Sequence, residues 1–142
     1  LRGVLVGVLI TLISLFFAPL SIDRPFLVFG TMVLTATLFS LLGFINALYA
    51  KSFDDISIIP TFVLIPLTYL GGVFYSLSFL PPFWKSLSLI NPILYIVNAF
   101  RFGFINYTDV PVFWAVIFLT TLIVLLWFIC LALMKKGFGL RL

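Results

Sequence analysis

Residues 110–134 read VPVFWAVIFLTTLIVLLWFICLALM, without a single charged side chain, and Lys135 and Lys136 follow at once. A helix crosses the hydrocarbon core of a bilayer with about 20 mostly apolar residues, so this tract predicts a membrane span over 112–134. The rest of the chain repeats the pattern. Uncharged tracts at 3–22, 25–50 and 56–84 are long enough to cross, whereas those at 86–100 and 102–108 are too short. Of the 142 residues 64 % are hydrophobic and only 8 % charged, and the mean hydropathy is +1.36. A soluble domain carries about 25 % charged residues, so lipid must be the solvent for most of this surface.

The expected fold is an all-α polytopic transmembrane bundle with spans at about 3–20, 26–50, 56–76 and 112–134. Pro19 falls in the last turn of the first span, and residues 21–25, beginning with Ser21, form a tight polar turn. Residues 77–108 behave differently. Pro81-Pro82 and Asn91-Pro92 stop any helix that reaches them, leaving two short apolar pieces at 83–89 and 93–105. Backbone at membrane depth must satisfy its own hydrogen bonds or be shielded by protein. A re-entrant helical hairpin over about 79–106 meets that demand, entering and leaving on one side. The alternative is a pair of helices lying flat in the interface, anchored by Phe83, Trp84, Tyr95 and Phe100.

Basic residues set the orientation. With the N-terminus in the cytoplasm, Arg2, Lys51, Lys135, Lys136 and Arg141 lie inside and Arg24, Lys85 and Arg101 outside. Four crossings then return the C-terminus to the cytoplasm. The net charge of +4 owes most to the basic C-terminal tail, a membrane-flanking feature rather than a nucleic-acid surface. The single cysteine, Cys130, lies within an apolar tract and excludes an internal disulfide framework. The chain has no histidine, no phosphate-binding GxxxxGK[ST] loop, and acidic residues only at span boundaries. No catalytic constellation emerges, and no cofactor or metal is expected in this chain.

The segment 53–104, FDDISIIPTFVLIPLTYLGGVFYSLSFLPPFWKSLSLINPILYIVNAFRFGF, resembles the C-terminal core of ABC transporter type-2 permeases, in particular the YadH-type inner-membrane transport permeases. The matching blocks are Phe53-Asp54-Asp55, the run from Pro66 to Tyr75 through Gly71-Gly72, Leu80-Pro81-Pro82-Phe83-Trp84, Asn91-Pro92, and Phe100-Arg101-Phe102-Gly103. The first span and the tail from Gly137 to Arg141 match more weakly, so the resemblance covers essentially the whole chain. It implies six spans with both termini cytoplasmic, in the bacterial inner membrane. The four spans here would be the third to sixth, and the chain, which begins with Leu, is read as the C-terminal part of that domain. Two permease copies would form the conduit of an exporter, and two ABC ATPase subunits would bind and hydrolyse ATP. Such permeases move polysaccharides, lipids or drugs, and the Phe-rich segments fit a lipid-like or drug-like cargo. An ATP-independent secondary transporter or pore would call for intramembrane acidic residues, and none is present. A non-transporting membrane scaffold would leave the broken third span and the hairpin without a purpose.

The candidate residues each carry two readings. Thr61, Thr68 and Tyr75 recur every seven residues and would share one face of a continuous helix, as a pathway-lining stripe or as ordinary packing. Pro66, Gly71 and Gly72 read as a hinge or as a fixed kink with close packing. Pro81, Pro82, Asn91, Pro92 and Arg101 belong to the hairpin. Asn91 is expected to cap the piece after Pro92, and Arg101 either snorkels to the interface or gates the outer exit. Asp54 and Asp55 cap the third span and are also placed to meet a cytoplasmic ATPase. The Gly3-xxx-Gly7 pair predicts close packing against a span outside this chain.

Overall fold

A computed structural model describes residues 2–17 and 22–136. Among the described residues every regular element is helical: α1 (Arg2–Phe17), α2 (Pro25–Tyr49), α3 (Phe53–Ile59), a π-helical turn (Pro60–Leu64), α4 (Ile65–Leu70), a 3-10 turn (Leu77–Phe79), α5 (Pro82–Ser88), α6 (Pro92–Ile105) and α7 (Val112–Lys135). The end of the first expected span with Pro19, the start of the polar turn at Ser21, and the basic tail with Arg141 lie outside the described residues.

The prolines that interrupt the hydrophobic runs also start the next helices. Pro25, Pro82 and Pro92 each stand in the first turn of a helix, where the missing N–H has no intrahelical partner to lose and the fixed φ suits the helix. Hydroxyls inside the apolar helices bond back to their own backbone. Thr31, Thr35 and Thr37 of α2 donate to the carbonyls of Leu27, Thr31 and Val33 at 2.7–2.8 Å, so these three hydroxyl protons are not left bare in an apolar setting.

The core forms where α2, α6 and α7 meet. Leu38, Ile96, Leu119 and Leu126 are buried together, with Phe39, Tyr95 and Phe100 packed around them. Tyr95 stacks on Phe118 with ring centroids 4.3 Å apart. Close approach elsewhere depends on small residues. A Cβ on Gly103 of α6 would stand 2.5 Å from Val28 Cγ2 of α2. The Gly103 carbonyl accepts from Arg24 N–H at 3.2 Å, and the Arg24 guanidinium lies 4.3 Å over the Phe102 ring. The Gly3-xxx-Gly7 pair lies against α2 of this chain: Cβ positions there fall 3.7 Å from Ala36 and 3.5 Å from Met32.

The expected span over 56–76 differs in both ends and course. It begins at Phe53, passes through the π turn and stops at Leu70. Pro66 explains the turn. Its ring would clash with the carbonyl four residues back, and it donates nothing to that carbonyl. The wider π winding just before it, with Ile65 N–H reaching the Pro60 carbonyl, relieves that conflict. Gly71 and Gly72 end the helix. Gly72 has φ +73°, a left-handed conformation that favours glycine, and a Cβ on Gly71 would fall 2.6 Å from Ile93 Cγ2. Tyr75 is therefore off the helix, and the one-face stripe of Thr61, Thr68 and Tyr75 does not form.

Among the described residues α2 and α7 are long and apolar enough, each as one helix, to cross a bilayer. The α5–α6 pair passes the same test only when taken together, and it is bent by 84° at residues 89–91. The Gly103 contact carries a test. Gly103→Ala forces a methyl onto the stiff, β-branched Val28 and should cost about 1–3 kcal/mol, a fall of several degrees in the melting temperature of the full-length parent in detergent. Adding Val28→Ala should recover part of the loss.

Candidate functional site

The densest polar cluster forms around Asp109, in the loop between α6 and α7. Helix α6 closes at Asn106, whose φ of 53° turns the chain back, a conformation asparagine tolerates. Asn98, 1 % exposed in the middle of α6, then pins the returning loop. Its Oδ1 accepts from Asp109 N–H at 2.7 Å and from the Thr108 hydroxyl at 3.1 Å, while its Nδ2 donates to the Leu94 carbonyl at 2.9 Å.

So held, the Asp109 carboxylate gathers donors from three parts of the chain. Arg101 Nη1 pairs with Oδ2 at 3.1 Å, and Arg101 Nη2 donates to the Gly72 carbonyl at 2.7 Å. The Ser76 hydroxyl donates to Oδ1, Tyr107 donates to Oδ1 at 3.1 Å, and Leu77 N–H approaches Oδ2 at 3.4 Å. The paired side chains are only 19 % and 9 % exposed, and breaking a pair this shielded strands a charge, unlike an exposed surface pair. Burial alone would raise the pKa of Asp109. The bonds from Ser76, Leu77 and Tyr107 and the charge of Arg101 outweigh it and hold the carboxyl below its ordinary value. One geometric consequence follows: the residues just before α5 and those just after α6 meet.

The other candidate residues fall into two groups. Near the cluster, Gly71 packs on Ile93, and Asn91 caps α6 by accepting from Ile93 N–H at 3.0 Å while donating to the Leu67 carbonyl at 2.6 Å. Pro92 opens α6, and Pro81 and Pro82 open α5. Tyr75 donates to the Tyr69 carbonyl at 2.6 Å and Thr68 to the Leu64 carbonyl at 2.7 Å. At the opposite end of the α3–α4 path, Ser52 and Asp55 form a capping box. Asp55 accepts from Lys51 N–H at 2.9 Å and Ser52 N–H at 3.0 Å, and these bonds lower its pKa. Asp54 is exposed, as is Thr61 in the π turn.

The sequence offers Arg101 as a snorkelling or a gating residue. Its pairing with Asp109 eight residues on was missed, as were the parts of Ser76 and Tyr107. The available signal was an arginine in an uncharged run with an acid just beyond the helix end. What hid it was the reversal at Asn106 and the return of residues 72–77 from far along the chain. A separate cleft of 490 Å³ between α1, α2 and α6, bordered by Gly3, Met32 and Phe100, lies apart from the cluster and is mostly apolar.

Residues 1–105 match the ABC-2 type transporter family. The chain is 54 % identical over 140 residues to the inner membrane transport permease YadH of Escherichia coli (strain K12), a match that covers 99 % of this chain and 55 % of the relative. The YadH proteins of Escherichia coli O157:H7 and Shigella flexneri match to the same extent. The chain thus spans about half the length of the curated relatives it matches. No solved structure matches it.

Two outcomes are expected. Asn98→Ala removes the acceptor of the Asp109 N–H and should destabilise the full-length protein by about 1–3 kcal/mol, read as a lower melting temperature. Because the Asp109 pKa is lowered on folding, its contribution is present above the ordinary carboxylate value and disappears as pH falls through the folded one. The stability gap between wild type and Asp109→Asn should therefore be constant from neutral pH to about 5 and shrink below about 4, in melting curves taken across that range.

Proposed function

The chain belongs to the ABC-2 type transporter family, and on that premise we propose that it supplies half of the membrane pathway of an ATP-driven exporter in the bacterial inner membrane. Two permease copies form the conduit. Separate ABC ATPase subunits bind and hydrolyse ATP, and this chain contributes a pathway whose two conformations they bias through contacts that differ between states.

One observation carries the arrangement: the Asp109 carboxylate joins Ser76 and Leu77, ahead of α5, to the loop that follows α6. A broken span would put those ends about 30 Å apart, on opposite sides of the hydrocarbon core. Their meeting supports a re-entrant hairpin. The crossings are then α1, α2, the α3–α4 path and α7, with both ends of the chain in the cytoplasm. The path from Phe53 to Leu70 is roughly 27 Å long at 1.5 Å per residue, enough to cross a bilayer with the flanking turns. In this orientation the Asp109 cluster faces outward, and the loop holding Asp54 and Asp55 faces the ATPase. Asp55 is engaged in capping, so the exposed Asp54 is the residue that meets the partner. The π turn and Pro66 lie between the two ends and give the α3–α4 path its bending point.

The test is purification of the full-length parent in mild detergent, followed by mass spectrometry. An ABC ATPase at near-equal stoichiometry is the expected result. A folded permease that repeatedly comes alone, even with ATPase candidates added, would point instead to an ATP-independent pore. For the bending point, Pro66→Ala should reduce transport by the assembled complex more than it reduces insertion or expression. Equal losses in both would leave Pro66 a packing residue.

A further inference from the structure

We propose that Asp109 is the positioning residue of an outer latch: through Arg101 and Ser76 it holds the end of α4 closed over the face of α6 that carries Leu94. The inference rests on the outward placement of the hairpin described above.

The covered surface is specific. Leu94 is fully buried, and the backbone at Gly72 lies against it, since a Cβ there would stand 3.4 Å from Leu94 Cδ1. Five polar contacts tie residues 67–77 to α6 and its following loop: Asn91 to the Leu67 carbonyl, Arg101 to the Gly72 carbonyl, Ser76 and Leu77 to Asp109, and the Ser76 hydroxyl to the Tyr107 hydroxyl at 3.4 Å. Of these, the Asn91 and Tyr107 contacts do not involve Asp109. The carboxylate accepts from Ser76 and Leu77 directly, and it orients the Arg101 guanidinium whose other arm reaches Gly72.

In this proposal residues 72–77 are the part that moves. They begin at the left-handed Gly72, above a helix already loosened by Pro66 and the π turn. Lifting them separates Arg101 from the Gly72 carbonyl and frees the carboxylate from Ser76 and Leu77. Both charges then need water, so release of the latch admits solvent to the Leu94 face. That coupling between opening and hydration suits the outer mouth of a pathway and is lost if Asp109 is neutral.

The full-length permease, with Cys130 and any other native cysteine replaced and Leu94→Cys introduced, gives the readout. A membrane-impermeant maleimide added from outside labels this position slowly while the latch is closed. Asp109→Asn should speed labelling about ten-fold or more, given the strength of hydrogen bonds to charged groups. Arg101→Lys should fall between the two, and Asp109→Glu, which keeps the charge, should stay nearest the parent. Equal rates in Asp109→Asn and the parent would overturn the proposal. If Asp109→Asn fails to accumulate, Ser76→Ala with Tyr107→Phe decides, since it removes two donors and leaves the ion pair: faster labelling supports the latch, and an unchanged rate overturns it. Unchanged labelling in a complex that retains its ATPase sinks the latch alone. Accelerated labelling in a permease that has no ATPase keeps the latch and sinks the ATP-driven reading.

Discussion

A guanidinium in an otherwise uncharged run of residues has to be paid for, and the Arg101–Asp109 pair is where this chain does so. A charge at bilayer depth persists when it is paired, hydrogen-bonded or reaches water. Arg101 does more than find a counter-ion. One arm takes the carboxylate and the other takes the Gly72 carbonyl, so satisfying a single charge ties the end of α4 to α6 and to the loop ahead of α7. Asn98 holds that loop from below by its backbone. The closure of residues 72–77 on the loop after α6 depends on this one electrostatic requirement.

Around it, helix association follows the rules of an apolar solvent. Lipid is as apolar as leucine, so hydrophobicity cannot choose which helices meet. Close packing and a few hydrogen bonds do. Gly103 lets α6 reach Val28, Gly71 lets the end of α4 reach Ile93, and Gly3 and Gly7 seat α1 on α2. The polar links are equally local: Asn91 to the Leu67 carbonyl, and Asn46 to the Ile56 carbonyl at 3.0 Å. The two asparagines mark the two ends of the α3–α4 path, which otherwise buries little against the rest of the chain.

How much could be read beforehand follows from the range of each signal. Hydropathy and charge are local, and they placed α2 and α7 to within a residue or two. The proline pairs are local too and located α5 and α6. The third span was only partly legible, because Pro66 announces a disturbance without saying whether it becomes a kink or a π turn. The choice of Gly72 as a left-handed stop, which takes Tyr75 off the helix, depends on Leu94 and Arg101 far along the chain. The full membership of the cluster is hidden for the same reason. Asp109 reads as one more boundary charge until residues 72–77 are brought beside it, and that requires the fold.

In the proposed topology the chain enters and leaves the 77–109 segment on the same side of the membrane. Single cysteines at Ser78 and Pro111, compared with others at Lys51 and Lys136, test it through impermeant-reagent labelling of the full-length protein in intact cells and in inverted vesicles. The predicted result is that Ser78 and Pro111 react from outside, and Lys51 and Lys136 only from the cytoplasmic face. Reaction of Ser78 and Pro111 from opposite faces would contradict it, and would make α5 and α6 a broken span instead of a hairpin.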